Sequence, residues 1–366
     1  MVLPWPPPFV YRFRAEALAG TGVFTAGDTI LGQSGARGLA TGDWDADGDS
    51  DLAVANFSNS TVAILKNNGS GDFGAPVSVG SQSGASALVA LDAEGDGDLD
   101  LAVANSGGAT VGILRNDGSG NFSSAGAIIG QFGARGLAAG DWNGDGAIDL
   151  AVANFSVNEV AILENDGNGS FVVVEAIGGL SGASALASGD WDGDGDLDLA
   201  VANLSGNSLV VLYNDGSGSF PTETTVGFQS GATALAAGDW DGDGDLDLAL
   251  ANSTAGAGEV AILENDGTGI FTDIAAIAGM TGASAVVAGD WYGDGDLDLA
   301  VANFSDNNVI GLKNDGSGSF AIDDTVGGQT GARALAAGDW DADDALDLAV
   351  ANSGIDNVKT LKNVPF

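Results

Sequence analysis

The segment Gly42-Asp43-Trp44 opens a nine-residue acidic cassette that returns, with drift, at Asp92, Asp141, Asp190, Asp239, Asp290 and Asp339. The interval is 49 residues at every step but one, where it is 51. A unit repeated at such a period is one supersecondary piece that buries its apolar faces against its neighbours. The question of fold becomes the question of what one unit makes.

Within a unit, short apolar segments alternate with turn chemistry. Ala234 to Gly238 is small and apolar. Leu246 to Ala251 alternates Leu with Asp or Ala, the period-two pattern of a half-buried strand. Val260 to Glu264 is a third strand, ending at the hairpin signal Asn265-Asp266-Gly267, and Phe271 to about Ile277 is a fourth. With 60 Gly in 366 residues and such short apolar runs, amphipathic helices are not expected. Four strands repeated seven times predict an all-β fold, a seven-bladed β-propeller of four-stranded antiparallel blades. The seventh unit stops after its third strand, at Leu361-Lys362-Asn363. Gly20-Thr21-Gly22-Val23-Phe24 matches Gly267-Thr268-Gly269-Ile270-Phe271, the approach to a fourth strand. Val23 to Leu31 is therefore predicted to close the last blade and leave no open edge at the seam. Residues 20–366 are assigned to the propeller. Residues 1–19, with Pro4, Pro6, Pro7 and Pro8 ahead of Phe9, Tyr11 and Phe13, read as a Pro-rich N-terminal extension or linker without the pattern of a secretion signal.

Each cassette reads D-x-D-x-D-G-x-x-D. The loops comprise Asp43, Asp45, Asp47, Asp49 and Asp51; Asp92, Glu94, Asp96, Asp98 and Asp100; and Asp141, Asn143, Asp145, Ala147 and Asp149. They continue with Asp190, Asp192, Asp194, Asp196 and Asp198; Asp239, Asp241, Asp243, Asp245 and Asp247; Asp290, Asp294, Asp296 and Asp298; and Asp339, Asp341, Asp343, Ala345 and Asp347. Alternate residues of a tight loop converge on one centre. A set of hard oxygen donors without nitrogen or sulfur suits Ca²⁺ before Mg²⁺ or Mn²⁺. By analogy with an EF-hand loop, positions one, three, five and nine would give side-chain oxygens and position seven a backbone carbonyl, so Ala147 costs nothing. About five to seven Ca²⁺ are expected. Tyr292 at position three and Asp344 in place of the loop Gly make the loops starting at Asp290 and Asp339 the weakest; loops one, four and five rank highest. The loops hold 32 of the 51 acids behind a net charge of −41. Two such carboxylates about 4 Å apart repel by roughly 4 kcal/mol at an effective dielectric of 20, so the clusters need a cation.

The D-x-D-x-D-G-x-x-D loops, G-x-F turns such as Gly71-Asp72-Phe73 and Gly120-Asn121-Phe122, and blade starts such as Ser34-Gly35-Ala36 resemble the FG-GAP/VCBS repeats of integrin α-subunits and bacterial surface proteins. The likeness runs from about residue 20 to 363. It implies a calcium-loop propeller placed extracellularly or at the cell surface, with a role in adhesion or ligand binding.

Composition trims the alternatives. Without Cys or His there is no disulfide, thiolate centre or His-based catalytic apparatus. So acidic a surface repels nucleic acid and anionic lipid, and no apolar stretch is long enough to span a membrane. The chain is read as not an enzyme; a metal- or carboxylate-dependent polysaccharide hydrolase or lyase has the least support in its residues. The principal reading is an adhesion or protein-recognition module, the alternative a lectin-like binder of surface or matrix polysaccharide. The expected protein or glycan partner sits on the face opposite the loops. That face should hold Arg37, Arg135 and Arg333 at equivalent positions, with Phe57, Phe155 and Phe304 after the second strand and Phe132 and Phe228 at blade starts. A plainer reading has the Arg residues offset local acidity and the Phe residues pack between blades. The six Trp that follow a loop's first Asp, such as Trp44 and Trp240, recur too regularly for one localised site and are assigned to inter-blade packing.

Overall fold

The computed structural model describes residues 20–227, 229–254 and 258–365; the expectations for residues 1–19 and for Phe228 lie outside the described residues. The chain forms seven four-stranded antiparallel sheets. Blade one runs Ala36–Gly42, Asp51–Asn56, Thr61–Leu65 and Val77–Val79 from the inside outwards, and five blades repeat that order. The first strands of consecutive blades lie side by side and line a central channel.

Blade seven is shared between the two ends of the chain. Gly20–Leu31 adds as a fourth strand to Asn357–Pro365, with Phe24 opposite Asn363 and Leu31 opposite Asn357. Phe24 is buried against Trp291 at 5.7 Å between ring centroids, and Ile30 is buried as well. The Gly22 N–H donates to Asn363 Oδ1 at 3.1 Å, as the Gly120 N–H does to Asn116 Oδ1 within an unbroken blade.

The second strands correct the expectation of a half-buried element. All six residues of Asp247–Asn252 are buried, as in each of the six equivalent strands. The alternation is one of size. Leu248 and Leu250 pack on Ala200 and Ala202 of the preceding blade, while Ala249 and Ala251 receive Leu299 and Val301 of the next. Large side chains of one blade fill the space left by small ones of its neighbour.

The Trp residues sit at the same interfaces. Trp44 of blade one meets Phe122, the first residue of the outer strand of blade two, edge-on at 5.7 Å, and Trp191, Trp240 and Trp340 meet Phe271, Phe320 and Phe73 likewise. The Phe of these G-x-F turns is thus the partner of the preceding blade's Trp. Blade two has Ala93 in the Trp position, packed in the same cluster as Phe171.

Candidate metal centres and a basic channel mouth

Each acidic loop joins the first and second strands of a blade, and an Asp at position one folds it. The Asp43 carboxylate accepts N–H groups from Asp47 (3.2 Å) and Gly48 (3.0 Å), and Asp190 accepts from Gly193 (2.8 Å) and Gly195 (3.1 Å). Gly48 and its counterparts take φ near +95°, a region open to Gly; in loop seven Asp344 takes φ +68° at the same position.

Three carboxylates come within 4.8 Å of one another in five loops: Asp43, Asp45 and Asp51; Asp190, Asp192 and Asp194; Asp239, Asp241 and Asp247; Asp290, Asp294 and Asp298; and Asp339, Asp341 and Asp347. Loops two and three show no such triad among the described residues. Position seven points elsewhere: a Cβ on Gly69, in the turn after the third strand, would meet Asp49 Oδ2 at 2.5 Å, and Gly216 would meet Asp196 the same way. This orientation suits a backbone carbonyl at position seven. Asp45 Oδ1 and Asp341 Oδ1 are buried and accept no hydrogen bond among the described residues. Buried acceptors of this kind fit a hard cation.

Four of the basic residues are spent on these loops, which sequence reasoning missed. Lys66 pairs with Asp45 (3.1 Å), Arg115 with Glu94 (3.2 Å), Lys362 with Asp341 (2.9 Å) and Lys313 with Asp294 (3.1 Å). Each occupies the residue before the Asn that closes the third strand, where loops three to five have Glu164, Tyr213 and Glu264. Tyr292 is turned out of loop six. Its hydroxyl donates to Asp323, and its ring lies against Gly22 of the closing strand, so loop six has one oxygen ligand fewer. Asp194→Ala is therefore expected to lower the melting temperature in calcium more than Asp294→Ala does. Equal losses would contradict this order.

Position nine carries a structural load as well. Asp51 Oδ2 accepts the Trp44 N–H at 3.1 Å and its Oδ1 the Asn67 N–H at 2.7 Å. Asn67 Nδ2 then donates across the interface to the Trp340 carbonyl at 2.8 Å, and Asn116 does so to the Trp44 carbonyl at 2.8 Å. The Asn of each N-D-G signal is a staple between blades as well as a turn residue.

Burial pushes these ninth carboxyls up against the pull of those N–H donors, to about 6 in Asp51, Asp149 and Asp247 and about 7 in Asp198, Asp298 and Asp347; Asp100 rises too, with Glu94 beside it. In the unfolded chain they titrate near 3.8. Between about pH 4 and pH 7 the metal-free fold therefore binds more protons than the unfolded chain, and its stability falls as pH rises. A bound calcium ion would require the ionised carboxylates and would reverse that slope. In protein stripped of calcium beforehand and kept in EGTA, the melting temperature is expected to drop between about pH 4 and pH 7, and in calcium it is not. A rise in EGTA would refute the assignment.

At the opposite end of the first strands, Arg37, Arg135 and Arg333 lie at a β-bulge. Pairing steps from Ala36 opposite Asn56 to Gly38 opposite Ala55 and leaves Arg37 between. In the other blades the bulged residue is Ser86, Ser184, Thr233 or Ser284, and its hydroxyl joins blades: Ser86 donates to the carbonyls of Ala104 (3.0 Å) and Ala134 (2.8 Å). The three arginines instead line a cavity of about 290 Å³ at the channel mouth. Arg37 stacks over Phe57 at 3.4 Å from guanidinium carbon to ring centroid, Arg135 over Phe155 at 3.5 Å, and Arg333 over Phe304 of the neighbouring blade at 4.4 Å. None of the three forms an ion pair among the described residues.

The FG-GAP-like repeat matches six overlapping windows, 43–103, 92–152, 141–201, 190–250, 241–301 and 290–350. The chain belongs to the FG-GAP-like repeat family. As an FG-GAP-like propeller it is a protein-interaction module in general terms. Its fold is shared with BBS1N, solved in complex with ARL6DN, at a TM-score of 0.66 and 14% identity over 94% of this chain and 98% of that one. A lectin of Agrocybe aegerita that recognises non-reducing terminal N-acetylglucosamine aligns at TM-score 0.53 and 20% identity, over 92% and 87% of the two chains. A putative 6-phosphogluconolactonase from Bacteroides uniformis aligns at 0.61 and 14%, over 78% and 83%. At these identities the likeness is one of fold. No curated protein matches the sequence. No helix among the described residues is long and apolar enough to cross a membrane.

Proposed function

We propose that this FG-GAP-like propeller is an extracellular, Ca²⁺-stabilised adhesion module that binds a protein partner through the face opposite its acidic loops. One observation carries the reading: three arginines stacked on phenylalanines, and an exposed Phe132, gather on that face. In a repeat architecture the positions that hold the ring recur in every blade, as the ninth Asp and the staple Asn do. Arg37, Arg135, Arg333 and the exposed Phe132 do not recur in every blade, so the ring does not require them. The complex of BBS1N with ARL6DN lends support to a protein partner on such a scaffold. An exposed aromatic also suits stacking on sugar, and with the Agrocybe lectin as a fold neighbour it supports a lectin-like second reading. The repeated loops are expected to act as structural metal sites, with no catalytic carboxylate pair apart from them.

The test immobilises the propeller in calcium and measures cell attachment. Attachment abolished by protease treatment of the cells supports the protein partner. Attachment that survives protease, together with glycan-array hits, favours the lectin reading. No attachment in calcium overturns both.

A further inference from the structure

We infer that the channel mouth between Arg37, Arg135 and Arg333 is a binding site for a compact polycarboxylate, a small molecule with two or three carboxylate groups. The site is built by coincidence of two substitutions in the repeat. The bulged position is Arg in blades one, three and seven. The turn after the second strand carries Phe at 57, 155 and 304 and Ser or Leu in the other four blades. Each of those three Phe rings lies under one of the three guanidinium groups. Stacking occupies a face of the guanidinium and fixes its plane, leaving the in-plane N–H donors free for a carboxylate in bidentate geometry.

The arrangement has a cost that an anion would remove. Arg, in place of Ser86 or its equivalents, gives up a hydroxyl that bonds two carbonyls and ties adjacent blades. It also brings like charges into one half-buried cavity: burial, then Arg333 and Arg135, push Arg37 down to about 10. Like charges drawn together without a counter-ion are destabilising, and carboxylates supply what is missing. Blades seven, one and three present the donors from separated points around the rim, which favours several carboxylates over one. The acidic loops do not defeat binding. A seven-residue strand places them about 20 Å away, beyond the Debye length of about 8 Å at physiological salt.

The test is titration calorimetry of the calcium-loaded protein with propane-1,2,3-tricarboxylate, at equal free calcium in cell and syringe. The comparison variant is Arg37→Ser/Arg135→Ser/Arg333→Ser, which restores the residue type other blades carry and so keeps the fold. Expected is saturable binding at one site per chain, weakened about tenfold or more by each single Arg→Ser change and absent from the triple variant. Phe57→Leu should weaken it less. The inference is overturned by no saturable binding into the millimolar range, by equal binding to wild type and triple variant, or by binding of an oligo-aspartate peptide without the tricarboxylate. None of these outcomes bears on cell attachment, so failure here leaves the adhesion reading standing.

Discussion

Chelation with EGTA is expected to lower the melting temperature by on the order of 20 °C, or to unfold the propeller outright. Five loops bring three carboxylates within 4.8 Å, and the described residues offer Lys66, Lys313 and Lys362 as counter-charges at only three of those triads. A cation held at 100 times its dissociation constant adds about 2.7 kcal/mol per site. Five such sites together, about 13.5 kcal/mol, are comparable to the roughly 5–15 kcal/mol that a whole domain commonly has. Loops four and five, with no lysine or arginine at the counter-charge position, should lose most order, visible as faster amide exchange at residues 190–198 and 239–247. An unchanged melting temperature, with no calcium found by metal analysis, would end the structural-metal assignment.

Removing residues 1–31 is expected to abolish cooperative unfolding and leave an aggregating product. Phe24 and Ile30 are both buried, and each contributes about 1.5–3 kcal/mol in that position. Their loss uncovers Trp291 and frees Asn357–Pro365 as an unpaired edge strand. The opposite manipulation is available because the chain has no cysteine. Thr29 and Lys359 are paired across the seam, and Thr29→Cys with Lys359→Cys should form a disulfide worth up to about 5 kcal/mol on the chain-entropy account. A truncated chain that melts like the full one, in the same buffer, would show that the seam does not hold the ring.

The blade count and the closure were legible because a repeat has a phase, and the phase shows where the last unit is incomplete. The positions of the acidic loops followed from the same period. The second strand misled because alternation of Leu248 and Leu250 with Ala249 and Ala251 looks like inside and outside, when both faces are inside. Only the neighbouring blade's own Ala and Leu reveal this, and a single unit does not contain them. The partners of the loop acids were hidden for a similar reason. Lys66 and Asp45 lie 21 positions apart, joined by a hairpin whose twist is not written in either residue, and the Asn67 staple ends on Trp340 at the far end of the chain. The three arginines were visible as a matched set. Their convergence depends on a bulge, and a bulge leaves no mark in the sequence of an Ala- and Gly-rich strand.

The seam also decides how the ring responds to load. Gly20 lies opposite Pro365, so the chain enters and leaves the propeller at the same end of two antiparallel strands. Tension between residues 20 and 365 falls on that one rung, then on the pairing of Phe24 with Asn363, and so inwards to Leu31. The rungs part in succession, as in a zip, and never share the force. A ring whose blades are interlocked by Leu in Ala pockets therefore opens at a small pull across its ends, while a pull between two points on different blades must break a whole interface at once.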